Sequence, residues 1–345
     1  MRLPSTTTPS RRRVPVLALV VAGVLLAACG QDDGSEHAAG EADAVPVTSA
    51  APSEDEPRLP VTVEGADGRS VTVEDTSRIV ALNGNIAEVV FALGLGDRVV
   101  GRDVSTTFEE AADLPLVTRA HDVSAESVLS LRPTVVLADT DSGPPEALDH
   151  IRNVGVPVVV FDVPERVDHI GPRIRAIAAA LGVAPAGEQL ADRTEAEIAA
   201  VREELDAEGD PPVVAFLYMR GQAGVYLIGG PGSGADSMIE AAGGIDAGTE
   251  LGLGQPFTPI TSEALVRAAP DVILMTTSGL ASVGGLAGLV EIPGIAQTPA
   301  GAEGRVITVE DGLLYSFGGR TPEALRQIAA QLFPEARAEG DGTVG

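Results

Sequence analysis

Between residues 167 and 208 the sequence carries no strand signal, while on both sides short apolar runs alternate with helical segments. Within that stretch Ile170, Ile174, Ile177, Ala178 and Leu181 recur at helical spacing, as do Leu190, Ile198, Val201 and Leu205. Pro185, just after Gly182, opens a second helical segment. Upstream, residues 79–82, 98–101, 134–137 and 156–161 read as strands, and 86–93, 125–131 and 145–154 as helices. Downstream the alternation resumes at 213–218, after Pro211-Pro212, and runs to Leu332. Strands alternating with helices signify βαβ units and a mostly parallel sheet. A helical connector near the middle of a 345-residue chain therefore splits the pattern into two α/β halves. Ahead of the first half, residues 59–74 alternate around Gly65-Ala66-Asp67-Gly68, which predicts a hairpin.

The two halves share a repeat. Residues 124–137 (SAESVLSLRPTVVL) lie on 261–274 (TSEALVRAAPDVIL), each with a Ser/Thr N-cap, a first-turn Glu (Glu126 and Glu263), and a Pro seven positions after the Glu. A buried strand follows in both copies.

The N-terminus locates the chain. Arg11-Arg12-Arg13 precede an uncharged run, residues 14–28, of signal-peptide rather than membrane-span length. The run ends Leu26-Ala27-Ala28-Cys29-Gly30, which resembles a bacterial lipobox, in which cleavage precedes a Cys that then carries lipid. Cys29 is the only Cys, which excludes a disulfide framework and a multi-Cys zinc site. Residues 30–57 hold eight acidic side chains among Ala, Gly, Ser and Pro, a composition that cannot bury enough surface to fold. With no Lys and 23 basic against 50 acidic residues, the net charge of −27 opposes nucleic acid and anionic membrane surfaces as partners. The resulting division is a signal peptide (1–28), a lipidated Cys and disordered acidic tether (29–57), an N-terminal α/β lobe (58–166), a connecting helix (167–209), a C-terminal α/β lobe (210–334) and a disordered tail (335–345).

A lipobox, an acidic tether, two α/β lobes and a rigid connecting helix resemble the substrate-binding protein of an ABC importer of the iron-complex and cobalamin class. The resemblance covers residues 76–333 and is carried by 78–82, 86–96, 124–137 and 155–159. It implies two βα-sandwich lobes joined by a long rigid helix, the helical-backbone periplasmic-binding-protein fold. It also implies a monomeric, non-enzymatic protein on the extracytoplasmic face of the cell membrane, delivering a ligand from the inter-lobe cleft to a permease dimer with its ATPase. Related importers dock through one Glu on each lobe, which assigns that role to Glu126 and Glu263. As first-turn residues both are equally suited to a helix dipole, an effect of about 0.3–1 kcal/mol each.

In such a fold, loops at strand ends contact the ligand. Tyr218-Met219-Arg220-Gly221 ends a predicted strand in the second lobe, and Arg119-Ala120-His121-Asp122 precedes the repeat helix in the first. Tyr and His are both axial ligands of haem iron, and a cation two residues from a Tyr favours its phenolate. This pattern is similar to the haem-binding proteins of actinobacterial haem importers (the HmuT type). The resemblance makes His121 and Tyr218 the axial ligands of a transported haem b, with Arg220 the partner of the phenolate. Arg119 and Arg320 are candidates for the haem propionates, and Tyr315 for the cleft wall. Tyr226 reads as core, and His150 and His169 as solvated. A ferric siderophore or corrinoid is the alternative cargo, and an extracytoplasmic enzyme the alternative class. Residues 230–235 (GPGSGA) match the dinucleotide fingerprint formally, but this βα unit opens a half rather than a nucleotide domain.

Overall fold

The computed structural model describes residues 56–119, 122–205 and 210–334. The signal peptide, Cys29, all of the acidic tether except residues 56 and 57, and the tail from residue 335 lie outside the described residues, as do Ala120 and His121.

A two-stranded ribbon, β1 (Val61–Glu64) and β2 (Ser70–Val73), pairs antiparallel from Val61↔Val73 to Glu64↔Ser70. Its turn is the Gly65–Gly68 segment, where Gly68 takes a positive φ of 73°. The first half then builds a six-stranded sheet from β3 (Ile79–Ala81), β4 (Val99–Asp103), β5 (Leu116–Arg119), β6 (Asp122–Val123), β7 (Val135–Asp139) and β8 (Val158–Phe161). Its order is β6-β5-β4-β3-β7-β8, parallel except at β5/β6. Every residue of β3, β7 and β8 is buried, as expected of parallel strands covered on both faces. The covering helices of this half include α1 (Gly84–Ala92), α2 (Ala125–Ser130) and α3 (Pro145–Asn153).

The connector is two helices, α4 (Ile170–Ala180) and α5 (Ala184–Leu205), folded back on each other at Leu181-Gly182-Val183. Gly182 has φ +74°, which lets α4 end where α5 must turn back. Close packing at the elbow requires Gly187: a Cβ there would lie 2.3 Å from that of Ala178. From α4, Arg175 reaches Glu188 (2.7 Å), Asp192 (2.6 Å) and Glu195 (2.9 Å) on α5. At 22 residues α5 is about 33 Å long.

The second half forms a sheet of β9 (Val213–Arg220), β10 (Val225–Gly229), β11 (Ile245–Asp246), β12 (Phe257–Pro259), β13 (Val272–Thr276) and β14 (Val306–Val309). The main path is β12-β10-β9-β13-β14, with β11 also on β9. Strands β9, β11, β13 and β14 run parallel, while β10 and β12 add an antiparallel flap.

The repeat is real in three dimensions. Ser124 accepts from the Ser127 N–H (3.2 Å) and Thr261 from the Ala264 N–H (3.1 Å), each capping its helix. Arg132 and Ala269, immediately before Pro133 and Pro270, both take left-handed φ values, 49° and 43°. The proline disfavours right-handed helix at the preceding residue, so both copies stop at the same place.

Two apolar clusters are private to the lobes, one centred on Val136, Val158 and Ile151, the other on Leu217, Ile273 and Leu289. A third, larger one is shared. It runs from Ile79 and Ile86 through Ile174 and Ile177 of the connector to Phe216, Ile239 and Ile328. The lobes are thus joined by core as well as by chain.

Candidate functional site

The C-terminal ends of β9, β13 and β14 lie at one edge of the second sheet and present Tyr218, Arg220, Ser278 and Asp311 there. That edge meets its counterpart in the first lobe. After β4, Thr107 donates to Glu310 after β14 (3.3 Å). A Cβ on Gly312 would lie 2.0 Å from the Thr107 hydroxyl, so the lobes are in close contact here.

Tyr218 is half-buried, its ring tilted against Phe257 with centroids 5.7 Å apart. Phe257 also packs edge-on to Phe216 (6.4 Å), and Phe216 edge-on to Tyr315 (6.2 Å). In a chain with only 7 Phe and 3 Tyr, four aromatics are assembled on one wall. The Arg220 guanidinium lies 4.7 Å from the Tyr218 ring centroid, a cation over the ring face. Its terminal nitrogens donate to the Met219 carbonyl (3.0 Å) and to Asp311 (3.0 Å). The cation that the sequence placed beside Tyr218 thus lies over the ring face.

Tyr315 stands on the same wall, but its hydroxyl is buried without a hydrogen-bond partner. Burial above all, then the neighbouring Tyr218 and Asp311, pushes that phenol well above its ordinary pKa. Tyr226, read as core, is instead 36% exposed on β10. Its neighbour across the ladder, Met219, is buried.

In the first lobe Arg119 is exposed at the C-terminal end of β5, paired in register with Asp122. His121, with Ala120, lies outside the described residues between them. Val104, after β4, leaves 45% of its surface exposed at the same edge. Glu126 and Glu263 are both exposed, one per lobe, in the first turns of the repeat helices.

Arg320 must be reassigned. It is buried, not on the cleft wall: its backbone N–H and Nε donate to the two oxygens of Glu88 on α1 (2.9 and 2.8 Å), and its guanidinium lies 5.5 Å from the Phe108 ring centroid. Glu88 is wholly buried and Arg320 only 7% exposed, so the cation is committed to an ion pair between the lobes.

The GPGSGA loop opens a helix at Ala235, yet side chains of the loop and helix already take part of its donors. Asp236 accepts from the Gly232 N–H (2.9 Å), and Ser233 accepts from the Asp236 N–H (3.3 Å). A buried carboxylate at that position repels a phosphate, which disposes of the dinucleotide reading. A cavity of about 1270 Å³ is lined by Val63, Asp141, Phe161, Glu165, His169 and Arg173 among others, beside β8 and α4. It shares no lining residue with the Tyr218 group.

Sequence reasoning did not find Asp311, Ser278 or Phe257. They come from three separate stretches and meet Tyr218 only through strand order.

A family model described as periplasmic binding protein matches residues 79–312. The chain is 26% identical over 328 residues, covering 93% of it and 97% of the relative, to an uncharacterized ABC transporter substrate-binding lipoprotein, YvrC, of Bacillus subtilis. Among solved structures it is similar to the periplasmic heme-binding protein RhuT from Roseiflexus sp. RS-1 in apo form, at 44% identity and TM-score 0.73, covering 75% of this chain and 99% of that one. It is also similar to the heme-binding protein HmuT, at 40% identity and TM-score 0.77, covering 84% and 94%. Solved forms of HmuT include alanine replacements of a histidine, a tyrosine and an arginine two residues beyond that tyrosine, the spacing of Tyr218 and Arg220 here.

Proposed function

The chain belongs to the periplasmic binding protein family, and from that premise we propose that it captures haem between its lobes and hands it to an ABC permease at the cell membrane. The observation that carries this reading is Tyr218, half-exposed at the meeting edge of the two sheets with a guanidinium 4.7 Å from its ring centroid. A phenol ligates ferric haem as phenolate, and a nearby cation favours that form. The aromatic wall and exposed Val104 suit an apolar macrocycle, and the heme-binding proteins of known structure at 40% and 44% identity support the same cargo. His121 is the ligand proposed from the first lobe, on the other side of the iron. Arg119 is the cation proposed for a propionate.

The rest of the reading concerns delivery. Glu126 and Glu263 offer one exposed carboxylate per lobe, matched by the repeat, for arginines on the two permease subunits. Lipid on Cys29 holds the protein on the extracytoplasmic face. It acts by binding, without catalysis.

The test is a hemin titration followed by visible absorption. The parent protein gains a Soret band and saturates. Tyr218→Phe, which keeps the ring and loses the anionic ligand, binds far more weakly with a changed spectrum, and His121→Ala binds somewhat more weakly with a shift towards five-coordinate iron. An unchanged titration in Tyr218→Phe refutes the ligand assignment. A parent that stays colourless with hemin but binds cobalamin or a ferric siderophore refutes the cargo.

A further inference from the structure

We infer that Asp311 is a positioning residue for the ligand site, fixing the Arg220 guanidinium over Tyr218; the inference rests on the haem reading above. Strand β13 lies between β9 and β14 in the sheet, so Arg220 at the end of β9 and Asp311 beyond the end of β14 are two strand spacings apart. The gap is bridged from its middle. Ser278, just past β13, donates to Asp311 through its hydroxyl (2.5 Å) and its backbone N–H (3.1 Å). Asp311 then accepts from Arg220 (3.0 Å). The guanidinium is held on a second side by the Met219 carbonyl (3.0 Å).

Folding has little use for this chain of contacts. The Arg220 and Asp311 side chains are 36% and 30% exposed, and ion pairs in such surroundings add little to stability. A long side chain left free at that exposure would sample many rotamers, only a few of them over the ring. The carboxylate, anchored by two donors on Ser278, selects those few. Asp311 acts through Arg220 and not by touching the ligand.

The experiment measures hemin dissociation from the full-length protein by transfer to excess apomyoglobin, together with the visible spectrum of the loaded form. Asp311→Ala should release hemin about tenfold faster, the scale expected when a charge-assisted hydrogen bond is removed. It should also shift the tyrosinate-to-iron charge-transfer band in the direction that Arg220→Ala shifts it. In an Arg220→Ala background the same change should add less than about twofold, the signature of two residues acting as one. Ser278→Ala, which leaves the ion pair but loosens its anchor, should fall between parent and Asp311→Ala, and it serves if Asp311→Ala folds poorly. Parental or slower release from Asp311→Ala overturns the inference, as does an undiminished effect without Arg220. If Tyr218→Phe retains the parental spectrum, the ligand assignment itself has failed, an outcome distinguishable from these.

Discussion

Replacing Arg320 with alanine should cost the ligand-free protein about 3–5 kcal/mol at neutral pH, the range for stripping one partner from a buried ion pair. The structure supports the upper part of that range. Glu88 has no exposed side-chain surface and Arg320 only 7%, so water cannot replace the lost cation. Alanine keeps the backbone N–H donor to Glu88 and removes only the side-chain one, leaving a carboxylate with half its support. Burial already raises the Glu88 carboxyl above its ordinary pKa of 4.5, and Arg320 opposes that rise, so its removal raises the carboxyl further. An acid with a raised pKa in the folded state lends its full stability below its unfolded pKa and loses it as pH climbs through the folded one. The deficit of Arg320→Ala against the parent is therefore largest at neutral pH and shrinks from neutral towards acid pH as Glu88 takes up a proton. Urea unfolding of both proteins at several pH values across that range, without hemin, measures it. Glu88→Gln is the companion: it leaves a buried guanidinium that stays charged and removes the titrating carboxyl, so its deficit against the parent runs the other way, shrinking as pH rises. An Arg320→Ala deficit below about 1 kcal/mol, or one constant with pH, refutes the reasoning.

Tyr315→Phe removes a buried hydroxyl that has no partner, and should stabilise the ligand-free protein by about 1 kcal/mol in thermal or urea unfolding. Gly248→Ala drives a Cβ to 2.0 Å from the Gly229 carbonyl oxygen, a backbone atom that cannot rotate away, and should cost about 3 kcal/mol or more by the same assay. Arg119→Glu should raise the hemin dissociation constant, with Arg320→Glu unsuitable as its control because that residue is structural. Glu126→Ala combined with Glu263→Ala should leave hemin titration unchanged while abolishing uptake through the cognate permease, since desolvated interface pairs cost about 2–5 kcal/mol each when truncated. Normal uptake would return both residues to a plain helix-dipole role.

The parallel core was legible because its signal is local. Strands β3, β7 and β8 are wholly buried, so each appears as a short unbroken apolar run, and the caps at Ser124 and Thr261 sit beside the helices they start. Strand β5 escaped notice because its Leu116-Val117-Thr118-Arg119 run follows Pro115 and ends in an exposed residue, a pattern shared with loops. The connector reads as helical throughout, yet only Gly182 and Pro185 hint that it doubles back, and the amphipathic period is silent about direction. At the site, Tyr218 and Arg220 are neighbours on one strand and were found together. Asp311 lies 91 residues from Arg220, and nothing near it in sequence marks it as part of the same group. Arg320 misled for the converse reason: an Arg opening a helix looks solvated until a carboxylate from 232 residues away is found buried against it.

The capped helix ends around the cleft govern what else enters it. Some of the N–H groups there are already taken: Asn83 accepts one at the start of α1, Ser233 and Asp236 accept one each in the glycine loop, Thr276 accepts one from Gly279 in the helix after β13, and Glu310 accepts those of Gly312 and Leu313 in the turn carrying Asp311. A small polyanion such as orthophosphate or citrate would have to compete with these side chains for the amide donors they hold. A flat guest that asks little of backbone dipoles pays no such toll. In a medium where inorganic anions far outnumber haem, capped helix ends leave common ions less to bind in the cleft.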